Sequence, residues 1–217
     1  MHISTFVDSV GISAPAWVYF TLFLISFLDT LIAIGAFFPA SFFVIAAGYF
    51  IFRGHLDIFL AFAAILVGGV LGDLLSYYFG HKGKSWLNSK PRLKRALFLH
   101  KGEEFFFKYG NKSIIFGRFL GILKSVIPFI AGLTKMNFKK FLYLNVLSGI
   151  IWTVVHLGIG YLLGKLFSYF YIPRHIKFLI IFLPFLLFLI FILFESRKSI
   201  AGMFKKKDKN SKLELIQ

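Results

Sequence analysis

Apolar residues fall into long blocks separated by short polar stretches, and the block lengths predict helices. Residues 17–52 are apolar but interrupted between Asp29 and Pro39. Those 36 residues are too many for one crossing of a ~30 Å hydrocarbon core and too few for two. A short polar turn, Arg53 to Asp57, leads into an apolar span at 58–80 that contains Gly68, Gly69, Gly72 and Asp73. Residues 81–112 form a basic loop with nine Lys or Arg and a short amphipathic helix. A second interrupted block, 113–133, carries Arg118, Lys124 and Pro128. Two further spans are predicted at 141–164 and 176–194, the latter 19 residues with Lys177 as its only charge. That length matches the ~20 residues of a membrane-crossing helix.

The chain is therefore read as an all-α polytopic membrane protein. One transmembrane domain covers 1–194, and a basic tail covers 195–217. Composition agrees. Of 217 residues, 58% are apolar and 31 are phenylalanine, more apolar surface than a soluble domain of this size can hide. The net charge of +16 sits in blocks between spans, with no stacking platform for a nucleic acid. Such blocks mark cytoplasmic loops, so the 81–112 loop and the tail are placed in the cytoplasm and the location is the cell membrane. The run Lys205 to Lys209 is also suited to anionic lipid. Residues 1–16 lack Lys and Arg, so no cleavable signal peptide is expected there.

Self-comparison reveals a second regularity. Ala47-Gly48 recurs as Ala131-Gly132 and Tyr77-x-x-Gly80 as Tyr161-x-x-Gly164, both at an offset of 84 residues. With one span between the halves, this pattern predicts an inverted repeat, the architecture in which interrupted helices meet near the bilayer midplane.

Charges at membrane depth are costly and mark pathways or ligand sites. Asp29 is a candidate proton-coupling group; the alternative is a structural Asp capping the helix after the break. Arg118 offers a forked donor set suited to phosphate, and Lys124 a compact point charge. Together they are candidates for binding an anionic head group, against snorkelling to the interface. Pro39 and Pro128 are expected to break their helices. Asp73 is a supporting candidate, as a partner for Arg118, a participant in proton movement or a structural acceptor. Gly68-x-x-x-Gly72, Gly117-x-x-x-Gly121 and Gly160-x-x-x-Gly164 permit close helix approach. His156 is read as a core residue satisfied by its neighbours. Without cysteine, a His-Glu-x-x-His motif or a P-loop, neither metal nor cofactor is expected, and no enzyme.

Several of these pieces, in order, resemble a known family. They are Gly35 to Gly48 (GAFFPASFFVIAAG), Gly72-Asp73 with Tyr77-x-x-Gly80, Tyr109-Gly110 through Gly117-Arg118-Phe119, Ile127-Pro128-x-x-Ala131-Gly132, Trp152, and Gly160-Tyr161-x-x-Gly164. The pattern is similar to the DedA family of bacterial membrane proteins, which share the VTT domain with eukaryotic lipid scramblases. The resemblance covers about residues 15–190. It implies two oppositely inserted re-entrant hairpins among about four spanning helices. It also implies return of a lipid carrier such as undecaprenyl phosphate, or of phospholipid, across the cytoplasmic membrane, linked to the proton motive force. Two acids on the first hairpin and two arginines on the second are the family's functional residues. Asp29 matches the first acid, where Glu is usual, and Arg118 the first arginine. Ser41 stands where the second acid falls and Lys124 where the second arginine falls, which puts two-acid coupling and bidentate binding in doubt.

The expected function is thus a flippase for a phosphate-bearing lipid, its partners membrane lipids with anionic head groups. A second copy of the chain is a further candidate partner. A small-ion or proton antiporter is the main alternative; a membrane lipid phosphatase and a packing scaffold are the others.

Overall fold

The computed structural model describes residues 14–32, 35, 40–88, 97–121 and 123–169. The expected span 176–194, the tail, Pro39 and the first 13 residues lie outside the described residues. The described elements are helices: α1 (Ala16–Thr30), α2 (Ala40–Phe52), α3 (Ile58–Asn88), α4 (Leu97–Tyr109), a 3-10 turn (Gly110–Lys112), α5 (Ser113–Gly117), α6 (Leu123–Leu133) and α7 (Phe138–Tyr169). Two of them, α3 through its stretch Ile58–Gly83 and α7, are long and apolar enough to cross a membrane.

Lengths separate the helices into two kinds. At 1.5 Å per residue, α3 and α7 are each roughly 45 Å long, whereas α1, α2 and α6 reach only about 16–22 Å, short of a hydrocarbon core. The interruption expected between Asp29 and Pro39 is present: α1 ends at Thr30, with Leu31 in an extended conformation. The stop is stapled from α3. Ser76 donates its hydroxyl to Thr30 O at 3.1 Å and accepts from the Ile32 amide at 3.1 Å. Backbone groups freed at depth need such partners, because lipid offers none.

The second interruption forms differently from expectation. Pro128 does not break its helix; it sits inside α6, with Ser125 to Leu133 all buried around it. Proline removes the hydrogen bond to the carbonyl four residues back, here that of Lys124, near the start of α6, so a single lost bond is tolerated. The break lies instead after Gly117, across 118–121, where Gly121 has φ +49. A left-handed backbone there favours glycine. A Cβ on Gly121 would meet nothing within 4 Å, so Gly121 is a turn residue and not half of a packing motif.

The short helices fill the space around the long ones. α1 and α6 pack on α3, while α2 and α5 pack on α7. Glycines set the spacing. Gly68 and Gly72 face the Phe23 and Phe27 carbonyls of α1, and Gly80 and Gly132 bring α3 against α6. Gly48 and Gly160 do the same for α2 and α7. Tyr77 stacks on Phe141 at 4.4 Å, inside one apolar cluster with Ile127 and Ile130. Ile65 lies with Trp152 and Leu157 in the other. α3 and α7 are therefore antiparallel, and on each a polar band separates the two apolar clusters: Asp73 and Ser76 on α3, Asn145 and Ser148 on α7. Outward faces carry large apolar side chains, such as Trp17 at 67% and Phe59 at 80% exposure. Water does not tolerate such a surface on a monomer, but lipid does.

Gly80→Ala places a methyl against the Phe129 carbonyl. Forced separation of α3 and α6 is expected to cost about 1–3 kcal/mol, read as a lowered melting temperature in detergent. Gly158→Ala, which meets nothing within 4 Å, is expected to leave the melting temperature unchanged.

Candidate functional site

Four charged side chains are buried together within the helical array. Asp29 is 2% exposed, Asp73 3% and Arg118 8%, and the Lys124 side chain is 11% exposed. Asp73 lies about 22 Å along α3 from Ile58 and about 15 Å from Gly83, at 1.5 Å per residue, and so near the middle of that span. A lone charge at such depth costs several kcal/mol, and each of these four has a partner. Lys124 Nζ is 2.6 Å from Asp29 Oδ1, and Arg118 Nη2 is 2.5 Å from Asp73 Oδ2.

Each charge is placed by its own element. Asp29 stands in the last turn of α1 and also accepts from the Ala40 amide at the start of α2, at 3.4 Å. Asp29 thus takes the structural role open to it from the sequence, accepting from the first amide of the helix after the break, and it also holds a cation. Arg118 is the residue that ends α5, and its side chain is buried. Its Nη1 donates to Asn145 O at 3.1 Å and to the Ser148 hydroxyl at 3.3 Å, and Asn145 in turn donates to Val70 O at 3.3 Å. Gly69 and Gly149 leave room for the guanidinium: a Cβ on Gly149 would lie 2.7 Å from Nη1. Lys124, the second residue of α6, reaches back to α1. Both acids come from α1 and α3, and both cations from the 113–133 segment, so the ion pairs clamp that segment onto the first half of the chain.

Asp29 and Arg118 also line one small cavity of about 10 Å³ with Ser26, Thr30, Gly149 and Thr153. That volume is about one water molecule's worth, far too small for a lipid head group. Neither cation is free to take an anion in this arrangement.

The other candidates fall as follows. Asp73 is the direct partner of Arg118, one of the roles open to it from sequence. Ser41 is half-buried at the second position of α2, next to the amide that Asp29 accepts. His156 points Nδ1 at Trp152 O, 2.8 Å away, and stacks on that ring at 4.0 Å, as expected of a satisfied core residue. Sequence reasoning did not single out Ser26, Ser76, Asn145 or Ser148. Their signal was present as polar residues three or four apart on otherwise apolar helices, Asp73 with Ser76 and Asn145 with Ser148, which places each pair on one face.

Among the described residues the elements are helices, two of them long and apolar enough to cross a membrane, with a paired charge cluster packed among them. Comparison with known proteins gives the chain's kind. The VTT domain family model matches residues 38–162, more than half of the chain. It is similar to the protein DedA of Escherichia coli K12, 29% identical over 170 residues, 76% of each chain. It is also similar to the inner membrane protein YqjA of the same strain, 29% identical over 153 residues, 68% of each. An uncharacterized membrane protein, BU139, of Buchnera aphidicola is 33% identical over 142 residues, 65% of this chain and 56% of the relative. No solved structure matches the chain significantly. The chain belongs to the DedA family of VTT-domain membrane proteins. Asp73, Arg118, Lys124, Asn145 and Ser148 lie inside the matched segment; Asp29 precedes it.

Removing one partner of a buried ion pair is expected to cost about 3–5 kcal/mol, because the other charge is stranded. Arg118→Met alone should therefore lower the melting temperature markedly, and Arg118→Met with Asp73→Leu should recover most of the loss. An unchanged melting temperature in the single variant would show that the pair does not hold the 113–133 segment in place.

Proposed function

We propose that the chain moves a phosphate-bearing lipid between the leaflets of the cytoplasmic membrane, with the buried two-acid, two-base cluster as the head-group station and proton uptake as the coupled step. The observation that carries this reading is the pairing itself: Lys124 with Asp29 and Arg118 with Asp73. Four charges sum to zero, so the resting cluster tolerates low dielectric. A phosphate can enter only by displacing a carboxylate from a cation. A displaced carboxylate left charged at depth is costly, and protonating it removes that cost. Binding of phosphate and binding of a proton thus favour one another through the same two ion pairs. Arg118 supplies fork geometry and Lys124 a point charge; Asp29 exchanges the proton. Asp73 serves as the second acid, the role that Ser41 cannot fill. The lipid tail stays in the bilayer.

In this reading the α1–α2 and α5–α6 pairs are re-entrant hairpins inserted from opposite leaflets, related by an inverted repeat. Reciprocal packing supports it: α1 on α3 and α2 on α7 are mirrored by α5 on α7 and α6 on α3. The glycine contacts also support it, with a change of register. Ile45 O faces Gly160 and Phe129 O faces Gly80. Residues 45 and 129 are 84 apart, but 80 and 160 are 80 apart, so the long helices correspond one turn away from the Tyr-x-x-Gly match. The domain would extend over 1–194, with the basic tail beyond.

A small-ion or proton antiporter is the second reading. A cavity of water size beside paired carboxylates and cations is what favours it.

Liposomes holding the purified protein and a fluorescent undecaprenyl phosphate or phospholipid test both readings. Leaflet exchange should be accelerated by an imposed proton gradient. It should fall at least about tenfold in Arg118→Ala, as expected for a lost charge-assisted bidentate contact, and less in Lys124→Arg. Sodium or potassium flux without lipid exchange would overturn the lipid reading in favour of the antiporter.

A further inference from the structure

Ser26 is buried in α1 at 3% exposure, and its hydroxyl is a buried side-chain oxygen without a hydrogen-bond partner among the described residues. This is unusual. A serine within a helix readily turns its hydroxyl onto the carbonyl four residues earlier, here that of Leu22, and a buried hydroxyl left unpaired costs about 1–3 kcal/mol. Ser26 forms part of the wall of the cavity it shares with Asp29, Thr30, Arg118 and Thr153.

The size and lining of that cavity limit what it can hold. Its volume of about 10 Å³ admits one water, which needs two to four polar partners. A phosphate does not fit, and a metal cation is disfavoured by the Arg118 guanidinium that also lines the cavity. Partners are at hand. Both hydrogen bonds described for the Asp29 carboxylate fall on Oδ1, so its second oxygen keeps acceptor capacity. The hydroxyl of Ser26 donates or accepts as required. Thr153 adds a second hydroxyl in the wall at 1% exposure.

We propose that this cavity is a hydration site, in which one water is held between the Ser26 hydroxyl and the Asp29 carboxylate, and that Ser26 is the positioning residue for proton transfer to Asp29. A proton arriving from bulk water as hydronium passes to the bound water. One O–H bond of that water then breaks as the O–H bond on the Asp29 carboxyl forms, leaving a neutral water in place. The charged and titratable groups facing this point are Lys124 from α6, Arg118 from the turn after α5 and Asp73 from α3. From α7 there is His156, stacked on the cavity wall residue Trp152. The hydration site stands by itself; the proton route rests on the coupled-transport reading above.

Two measurements on the full chain separate these parts. The first is a high-resolution density map of the protein in lipid nanodiscs, for the wild type and for Ser26→Ala. A water peak at about 3 Å from Ser26 Oγ, weakened or lost in the variant, is expected. A dry cavity in the wild type, or a Ser26 hydroxyl turned onto Leu22 O, overturns the site whether or not the variant folds. The second is the pH profile of gradient-driven lipid-phosphate exchange in liposomes. Ser26→Ala is expected to slow it about five- to tenfold, the scale of one lost neutral hydrogen bond, and to displace the profile. Ser26→Thr, which keeps the hydroxyl, should restore both. Equal losses in the Ala and Thr variants, or an unmoved profile in Ser26→Ala, overturn the proton route. If the wild type moves no lipid phosphate, the coupled-transport reading fails with it, while the density map still decides the water.

Discussion

The guanidinium of Arg118 is the constraint around which the other elements are arranged. A fixed positive charge near the middle of a membrane span cannot remain unless several acceptors surround it. Asp73 on α3 supplies charge, and the Asn145 carbonyl and Ser148 hydroxyl on α7 supply dipoles. The two long helices are thereby held at one mutual depth. Gly69 and Gly149 leave space for the side chain, so the helices approach closely at the level where the charge sits. The polar band between the two apolar clusters follows from this single requirement.

A second ion pair closes the other side. Lys124 joins the start of α6 to the end of α1, while the same Asp29 oxygen accepts from the start of α2. One carboxylate thus serves a helix end, a helix start and a cation. Such sharing makes the site sensitive to protonation, because one event changes two contacts. Under the proposed transport, stability and function would draw on the same bonds. A cluster neutral as a whole tolerates burial, yet each member is exposed to large penalties once its partner leaves. That is the property a transporter needs if its charged groups are to change partners together.

Family membership and site geometry carry different weight here. The VTT-domain match and the DedA and YqjA relatives place the chain among membrane proteins. In the geometry, Asp73 makes the second buried carboxylate contact. Lys124 keeps a charge at its position while reaching its acid as a single point contact, without the fork an arginine would provide.

Much of the fold was legible in the sequence because lipid is an unforgiving solvent. Apolar block lengths placed α3, α7 and both interruptions, and charges within those blocks singled out Asp29, Asp73, Arg118 and Lys124. The motifs Gly68-x-x-x-Gly72 and Gly160-x-x-x-Gly164 announced close packing. What the sequence could not supply was who pairs with whom. Arg118 and Lys124, six residues apart, go to different carboxylates 44 residues apart, which depends on how four helices cross. The break at Gly121 instead of Pro128, the register of α3 against α7, and the buried hydroxyl of Ser26 were likewise settled only in three dimensions. A turn, a register and an unpaired donor are each defined by distant neighbours, whereas apolar periodicity and charge cost are properties of the local chain.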